Sequence, residues 1–204
     1  MKYLLLCAVL VSVSLVPGNS ARADVSLPSV IDSHMVLQRG MPLKIWGFAA
    51  KGEPVMVELA GAKATTTAND KGEWVVTLPA MKAGGPHKLT IAGNNRITLE
   101  DILVGEVWIG SGQSNMQWSV SASNNPGAEI QAAKYPNIRL FLVPNVLSGI
   151  PNKDVKADWK ACTPAAIPSF SAVLYYFGRH LHKELDIPVG LIASAWGGSL
   201  IEPW

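Results

Sequence analysis

Apolar residues alternate with polar or flexible ones through the first half of the chain. Val55, Val57 and Leu59 form one such run, Trp74, Val76 and Leu78 a second, and Leu89 and Ile91 a third. A period of two with one buried side is the pattern of antiparallel strands. Turn chemistry separates the runs at Lys51-Gly52-Glu53-Pro54, Asn69-Asp70-Lys71-Gly72, Ala83-Gly84-Gly85-Pro86 and Gly93-Asn94-Asn95. No stretch there sustains a helical stripe, so residues 24–104 are expected to form a small all-β sandwich region. Beyond Val104 the pattern changes. Val107-Trp108-Ile109-Gly110 reads as a buried parallel strand, and Ala128 to Lys134 as a helix. Ile138 to Val143 reads as a second strand, and Val189 to Ser194 as a third. Between the last two, Ser171 to Leu185 is the strongest helical segment, with Val173, Phe177, Leu181 and Leu185 on one stripe. Strands alternating with helices predict a parallel α/β layer over residues 105–204.

The segment before Asp24 belongs to neither half. Lys2, an apolar run from Leu4 to Val16 and Ala21-Arg22-Ala23 are the three parts of a secretory signal peptide, so residues 1–23 are expected to be removed. The run is shorter than the roughly 20 residues that span a bilayer, and no membrane span is expected in the mature chain. Removal changes the charge. The whole chain has 17 Lys+Arg against 15 Asp+Glu, and losing Lys2 and Arg22 leaves 15 against 15. A neutral chain has no basic footprint for nucleic acid. Cys7 leaves as well, so Cys162 has no internal disulfide partner, and the exported protein, periplasmic or extracellular, must be held by its own core.

Two strand-to-helix loops carry candidate chemistry, since ligands of open α/β sheets bind beyond the carboxyl ends of the strands. The first is Gly110-Ser111-Gly112-Gln113-Ser114-Asn115-Met116. A serine there can present its hydroxyl at a helix start while its backbone N–H faces a developing oxyanion. The same residues also suit an ordinary tight turn with a serine cap. The run is not a Gly-x-Ser-x-Gly nucleophile elbow, because Met116 stands where the second glycine would be. Nor is it a phosphate loop, since no Lys-Ser or Lys-Thr follows. The second loop runs from Ala195 to Trp204 and holds Gly197 and Gly198, which could supply a further N–H, and tryptophans that suit either a sugar face or a core.

Taken together, these segments resemble a known family. Val104-Gly105-Glu106-Val107-Trp108 followed by Gly112-Gln113-Ser114-Asn115-Met116 is similar to the first block of SGNH-type hydrolases in the sialate O-acetylesterase branch. Trp196-Gly197-Gly198-Ser199-Leu200-Ile201-Glu202-Pro203-Trp204 resembles that branch's second block, and Pro28 to Arg39 resembles its mature N-terminus. The resemblance implies a flavodoxin-like α/β/α sandwich, preceded here by the β-sandwich. It further implies hydrolysis of O-acetyl esters on carbohydrates, sialic acids among them, with no metal or cofactor. By matching positions, Ser114 would be the nucleophile, and the N–H groups of Ser114 and Gly198 would line the oxyanion hole. Gln113 and Asn115 would hold the loop or touch substrate, and Glu202 would lie near the pocket.

A serine hydroxyl needs a base, which the family resemblance implies is a histidine in a late Asp-x-x-His block. Three residues before His34, His87, His180 and His182 stand Ile31, Gly84, Phe177 and Arg179, so no histidine fits. Three parallel strands alone would also expose an apolar edge. The pattern therefore reads as an incomplete SGNH portion, a truncated member whose base would come from absent C-terminal residues. The alternatives are a non-catalytic carbohydrate-binding module, with Trp46 and Trp74 as candidate platforms among seven tryptophans, and an inactive fragment. The sequence sets no oligomeric state.

Overall fold

The computed structural model describes residues 24–200; the expected signal peptide and residues 201–204, with Glu202 and Trp204, lie outside the described residues. Among the described residues, ten strands form two sheets. β1 (Val36–Gln38), β2 (Leu43–Phe48), β3 (Pro54–Leu59), β4 (Ala62–Thr67), β5 (Glu73–Leu78) and β6 (Gly84–Ala92) precede the long β7 (Arg96–Gly112). The helices α1 (Ser114–Gln117) and α2 (Pro126–Ala132) follow, then β8 (Tyr135–Leu142), β9 (Trp159–Cys162), α3 (Ala172–Leu185) and β10 (Val189–Ala195).

The alternating runs become antiparallel strands. β2 pairs with β5 as one small sheet, and β4, β3, β6 and the first part of β7 form the other. Ile45, Trp74, Val76 and Leu78 from the first sheet meet Val55, Val57, Leu59, Leu89 and Ile91 from the second in one core. The turn chemistry works locally. Asn69 Oδ1 accepts the N–H groups of Lys71 and Glu73 at 2.8 and 3.0 Å, closing the β4–β5 connection. The buried Glu53 accepts the backbone N–H groups of Ala50 and Asn94, joining two turns at one end of the sandwich.

β7 does not stop at Val104. Its first part belongs to the sandwich, and residues 106–112 pair in parallel with β10, which pairs in turn with β8. One strand thus runs through both halves. Gly105 lies at the passage, and a side chain there would overlap the Pro188 carbonyl, whose oxygen accepts the Glu106 N–H at 3.0 Å. β1 pairs in parallel with the same stretch of β7, through Val36 opposite Leu103 and Gln38 opposite Gly105.

The architecture is mixed α/β around this sheet. α3 covers one face of the parallel layer, and the opposite face turns Phe141 and Trp159 into the sandwich core. α3 begins where Ser171 Oγ accepts the Leu174 N–H at 3.2 Å, and ends at Asp186 in the left-handed conformation.

The apolar stripe of α3 is not its buried face, contrary to the sequence expectation. Val173, Phe177 and Leu185 are exposed, whereas Ala172, Leu174, Tyr175 and Gly178 are buried. Gly178 sets the orientation: a Cβ there would lie 2.5 Å from Leu191 of β10, so the helix approaches the sheet most closely along that line. The predicted stripe falls on the flank, where Phe177 meets Trp108 edge-on at 5.0 Å. Among the described residues, no helix is long and apolar enough to cross a membrane.

Candidate active site

The carboxyl ends of β7 and β10 are adjacent. Ser111 stands opposite Ser194, Gly112 opposite Ala195, and the Trp196 N–H extends the ladder to the Gly112 carbonyl at 2.9 Å. The two loops singled out in the sequence therefore leave the sheet side by side. Gly112, at φ 135°, turns the first loop sharply into α1, a single turn whose first residue is Ser114. α1 is seated by Met116. A Cβ at Gly110 would meet Leu174 at 2.8 Å and the Met116 sulfur at 3.0 Å, so a glycine there makes room for both. Met116, which excludes a Gly-x-Ser-x-Gly elbow, is thus a packing residue that fixes α1.

Ser114, Gln113 and Asn115 are exposed at the molecular surface, and the side chains of Gln113 and Asn115 hydrogen-bond to no described residue. The glycine loop lies against them. A Cβ at Gly197 would sit 3.5 Å from Ser114 Cα and 3.6 Å from Ser114 Cβ. Gly198 is exposed at φ 79°, with open space where a side chain would project. Ser199 closes the turn, donating its N–H and its hydroxyl to the Trp196 carbonyl at 3.3 and 2.7 Å. The structure thus brings Gln113, Ser114, Asn115 and Gly198 into one neighbourhood; Glu202 lies outside the described residues.

Two features of this neighbourhood escaped the sequence reading. A cavity of about 200 Å³ opens beside α1, between Met116, Gln117 and Leu142 to Asn145 at the end of β8, with Ser169 and Ser171 on its far wall. The other is Gln117, whose side-chain oxygen accepts the Gly197 N–H at 2.7 Å. No local signal marks a contact between residues 80 apart in sequence.

None of the four histidines hydrogen-bonds to Ser114. His34 Nδ1 pairs with Asp101 at 2.7 Å, His182 Nδ1 with the Ile187 carbonyl at 2.7 Å, and His180 points toward Glu184 on the surface of α3. His87 lies in β6, in register with Ile102. The His34–Asp101 pair belongs to a separate cluster. The buried Arg139 donates to the same Asp101 oxygen at 2.7 Å, and its hydrogen bond is the main cause holding that carboxyl below the usual range. Among the described residues, no group of three or more His, Cys, Asp or Glu side chains converges as metal ligands would. Burial pushes the Cys162 thiol up to about 12, so it is an inert core residue at neutral pH.

The two tryptophans considered as sugar platforms separate. Both line a cavity of about 400 Å³, but Trp46 is exposed, whereas Trp74 is buried at 3% exposure and forms part of the sandwich core.

Comparison with known proteins gives the class. No family model matches the chain. The crystal structure of a carbohydrate acetylesterase from Xanthomonas citri superposes with a TM-score of 0.84 and 37% identity, covering 88% of this chain and 42% of that one. Fold and sequence together thus give the chain the mixed α/β architecture of that carbohydrate acetylesterase. Curated relatives narrow this. Sialate O-acetylesterases from Mus musculus, Rattus norvegicus and Homo sapiens are 36%, 35% and 34% identical over 92%, 86% and 91% of this chain. The chain belongs to the sialate O-acetylesterase family. It spans 38%, 36% and 40% of the lengths of those three relatives.

Proposed function

We propose that the protein hydrolyses O-acetyl esters on carbohydrates through a serine nucleophile, Ser114, and that it acts after export. The observation that carries this reading is the juxtaposition of Ser114 with the Trp196–Ser199 turn, fixed by the register of Gly112 opposite Ala195. Ser114 Oγ attacks the acetyl carbonyl carbon. The oxyanion that forms is met by the backbone N–H groups of Ser114 and Gly198, neither of which has an acceptor among the described residues. Collapse breaks the bond to the sugar oxygen, which leaves with a proton, and water then releases acetate from the acetyl-serine. Gln113 and Asn115 contact substrate from the exposed rim of the loop.

The base that takes the Ser114 proton is a histidine in the polypeptide that the relatives carry beyond the shared span, since none of the described histidines hydrogen-bonds to Ser114. Labelling by a fluorophosphonate tests the nucleophile. In the full-length protein the probe is expected on Ser114, and the 204-residue chain alone is expected to react far more slowly. Equal, negligible labelling of both would refute the assignment. Carbohydrate binding without catalysis has Trp46 in its favour and predicts retention on immobilised acetylated sugar with no labelling at all.

A further inference from the structure

The turn from Trp196 to Ser199 offers two glycine N–H groups, and they are not equivalent. Gly197 already donates, to Gln117 Oε1 at 2.7 Å, while Gly198 has no described acceptor and lies exposed. Gln117 stands three residues after Ser114 on the single turn of α1, so one rigid element carries both the candidate nucleophile and the acceptor that holds the opposite loop. Two further bonds fix that loop, the Trp196 N–H to the Gly112 carbonyl at the end of β7 at 2.9 Å and, within the turn, the Ser199 hydroxyl to the Trp196 carbonyl at 2.7 Å. The Gln117 bond is the one that spans the gap from the loop to α1. A Cβ on Gly197 would lie 2.7 Å from that same oxygen and 3.5 Å from Ser114 Cα, so the contact sits directly against the nucleophile.

We propose that Gln117 is a positioning residue: by engaging the Gly197 N–H it fixes the distance between Ser114 and the Gly198 N–H, leaving Gly198 as the loop's oxyanion donor. This rests on the esterase reading above. The chemistry favours a neutral amide here. A carboxylate could accept the same bond but would set a fixed negative charge beside a developing oxyanion, opposing what the donors supply. A displacement of about 1 Å in such a site can cost on the order of 10²-fold in rate.

The test is steady-state hydrolysis of 4-nitrophenyl acetate by the full-length protein. Gln117→Met, which keeps the length of the side chain and removes the acceptor, is expected to lower kcat by about 10–100-fold with KM nearly unchanged. Gly197→Ala, which displaces the Gln117 oxygen, is expected to lose a similar factor. The double variant should lose no more than the worse single one, because both break a single contact. Gln117 is exposed, so the fold should tolerate these changes; Gln117→Ala provides the same readout should the methionine pack poorly. An unchanged kcat, losses that multiply, or a raised KM at constant kcat would each overturn the proposal, the last by making Gln117 a substrate contact in the adjoining cavity. Ser114→Ala separates the two levels. Release that survives it refutes Ser114 as the nucleophile, on which this proposal rests, whereas Ser114-dependent release with silent Gln117 variants refutes only the positioning role.

Discussion

In the β-sandwich, burial alternates cleanly: β5 turns Trp74, Val76 and Leu78 inward and leaves Val75 and Thr77 outside. At the far end of β7 the alternation fails, and the adjacent Trp108 and Ile109 are 43% and 67% exposed. The sandwich has strands or turns closing each core-facing residue. Over residues 106–112, by contrast, β7 pairs with β10 on one side and with no described strand on the other. Val173 and Phe177 of α3 extend the same apolar surface. The half that carries the candidate chemistry is therefore the less enclosed one. Each half has its own buried core, the candidate chemistry lies in the half with the open strand edge, and β7 connects the two.

The sandwich should be the more costly half to disturb. Leu59→Ala removes a fully buried side chain that packs opposite Leu89, and a loss of about 2–5 kcal/mol in urea unfolding is expected. A loss below about 1 kcal/mol would mean that this core is not closed. Gly105→Ala strikes the passage between halves. Overlap with the Pro188 carbonyl should cost about 1–3 kcal/mol. Amide exchange should accelerate in β10 more than in β3, and uniform acceleration would contradict a divided molecule.

A smaller effect is expected where the sandwich-side turn of His34 meets the parallel layer. Asp101 titrates below the ordinary carboxylate range, chiefly because Arg139 hydrogen-bonds to it, with His34 adding and burial opposing. A depressed folded-state value contributes stability above the unfolded pKa of about 4, and that stability is lost as pH falls through the folded value. Asp101→Asn should therefore lower the melting temperature at neutral pH and flatten the acid limb. An acid limb as steep as in the parent would show that the contact contributes nothing. Smallest of all, Ile109→Thr, at an exposed position of the 204-residue chain, should change its stability by no more than about 0.5 kcal/mol. A large destabilisation would show that this surface is covered in solution.

Much of this division is legible in the sequence because alternation and capping are local signals. Val55, Val57 and Leu59 announce a strand by spacing alone, and the segment Ser171 to Leu185 announces α3. Illegible features depend on partners far along the chain. Trp74 shares a period-two run with Val76 and Leu78 and so reads as inward, whereas Trp46 lies outside the runs picked out in the sequence, and its exposure shows only in the strand register of β2 against β5. The α3 stripe misled because periodicity shows which residues share a side, not which side meets the sheet. Gly178, the residue of closest approach, has no hydrophobic signal of its own. At the site, Ser114 and the paired glycines stand out through their motif, whereas Gln117 acquires meaning only when the 80-residue separation is folded away.

The central claim is that Ser114, facing the glycine loop across the ends of β7 and β10, is the nucleophile of an O-acetylesterase. It is tested most directly by acetate release from an acetylated sugar by the full-length protein and its Ser114→Ala variant. Release by the parent and none above background by the variant is the predicted result. Undiminished release by the variant would contradict the account and place the chemistry elsewhere in the molecule.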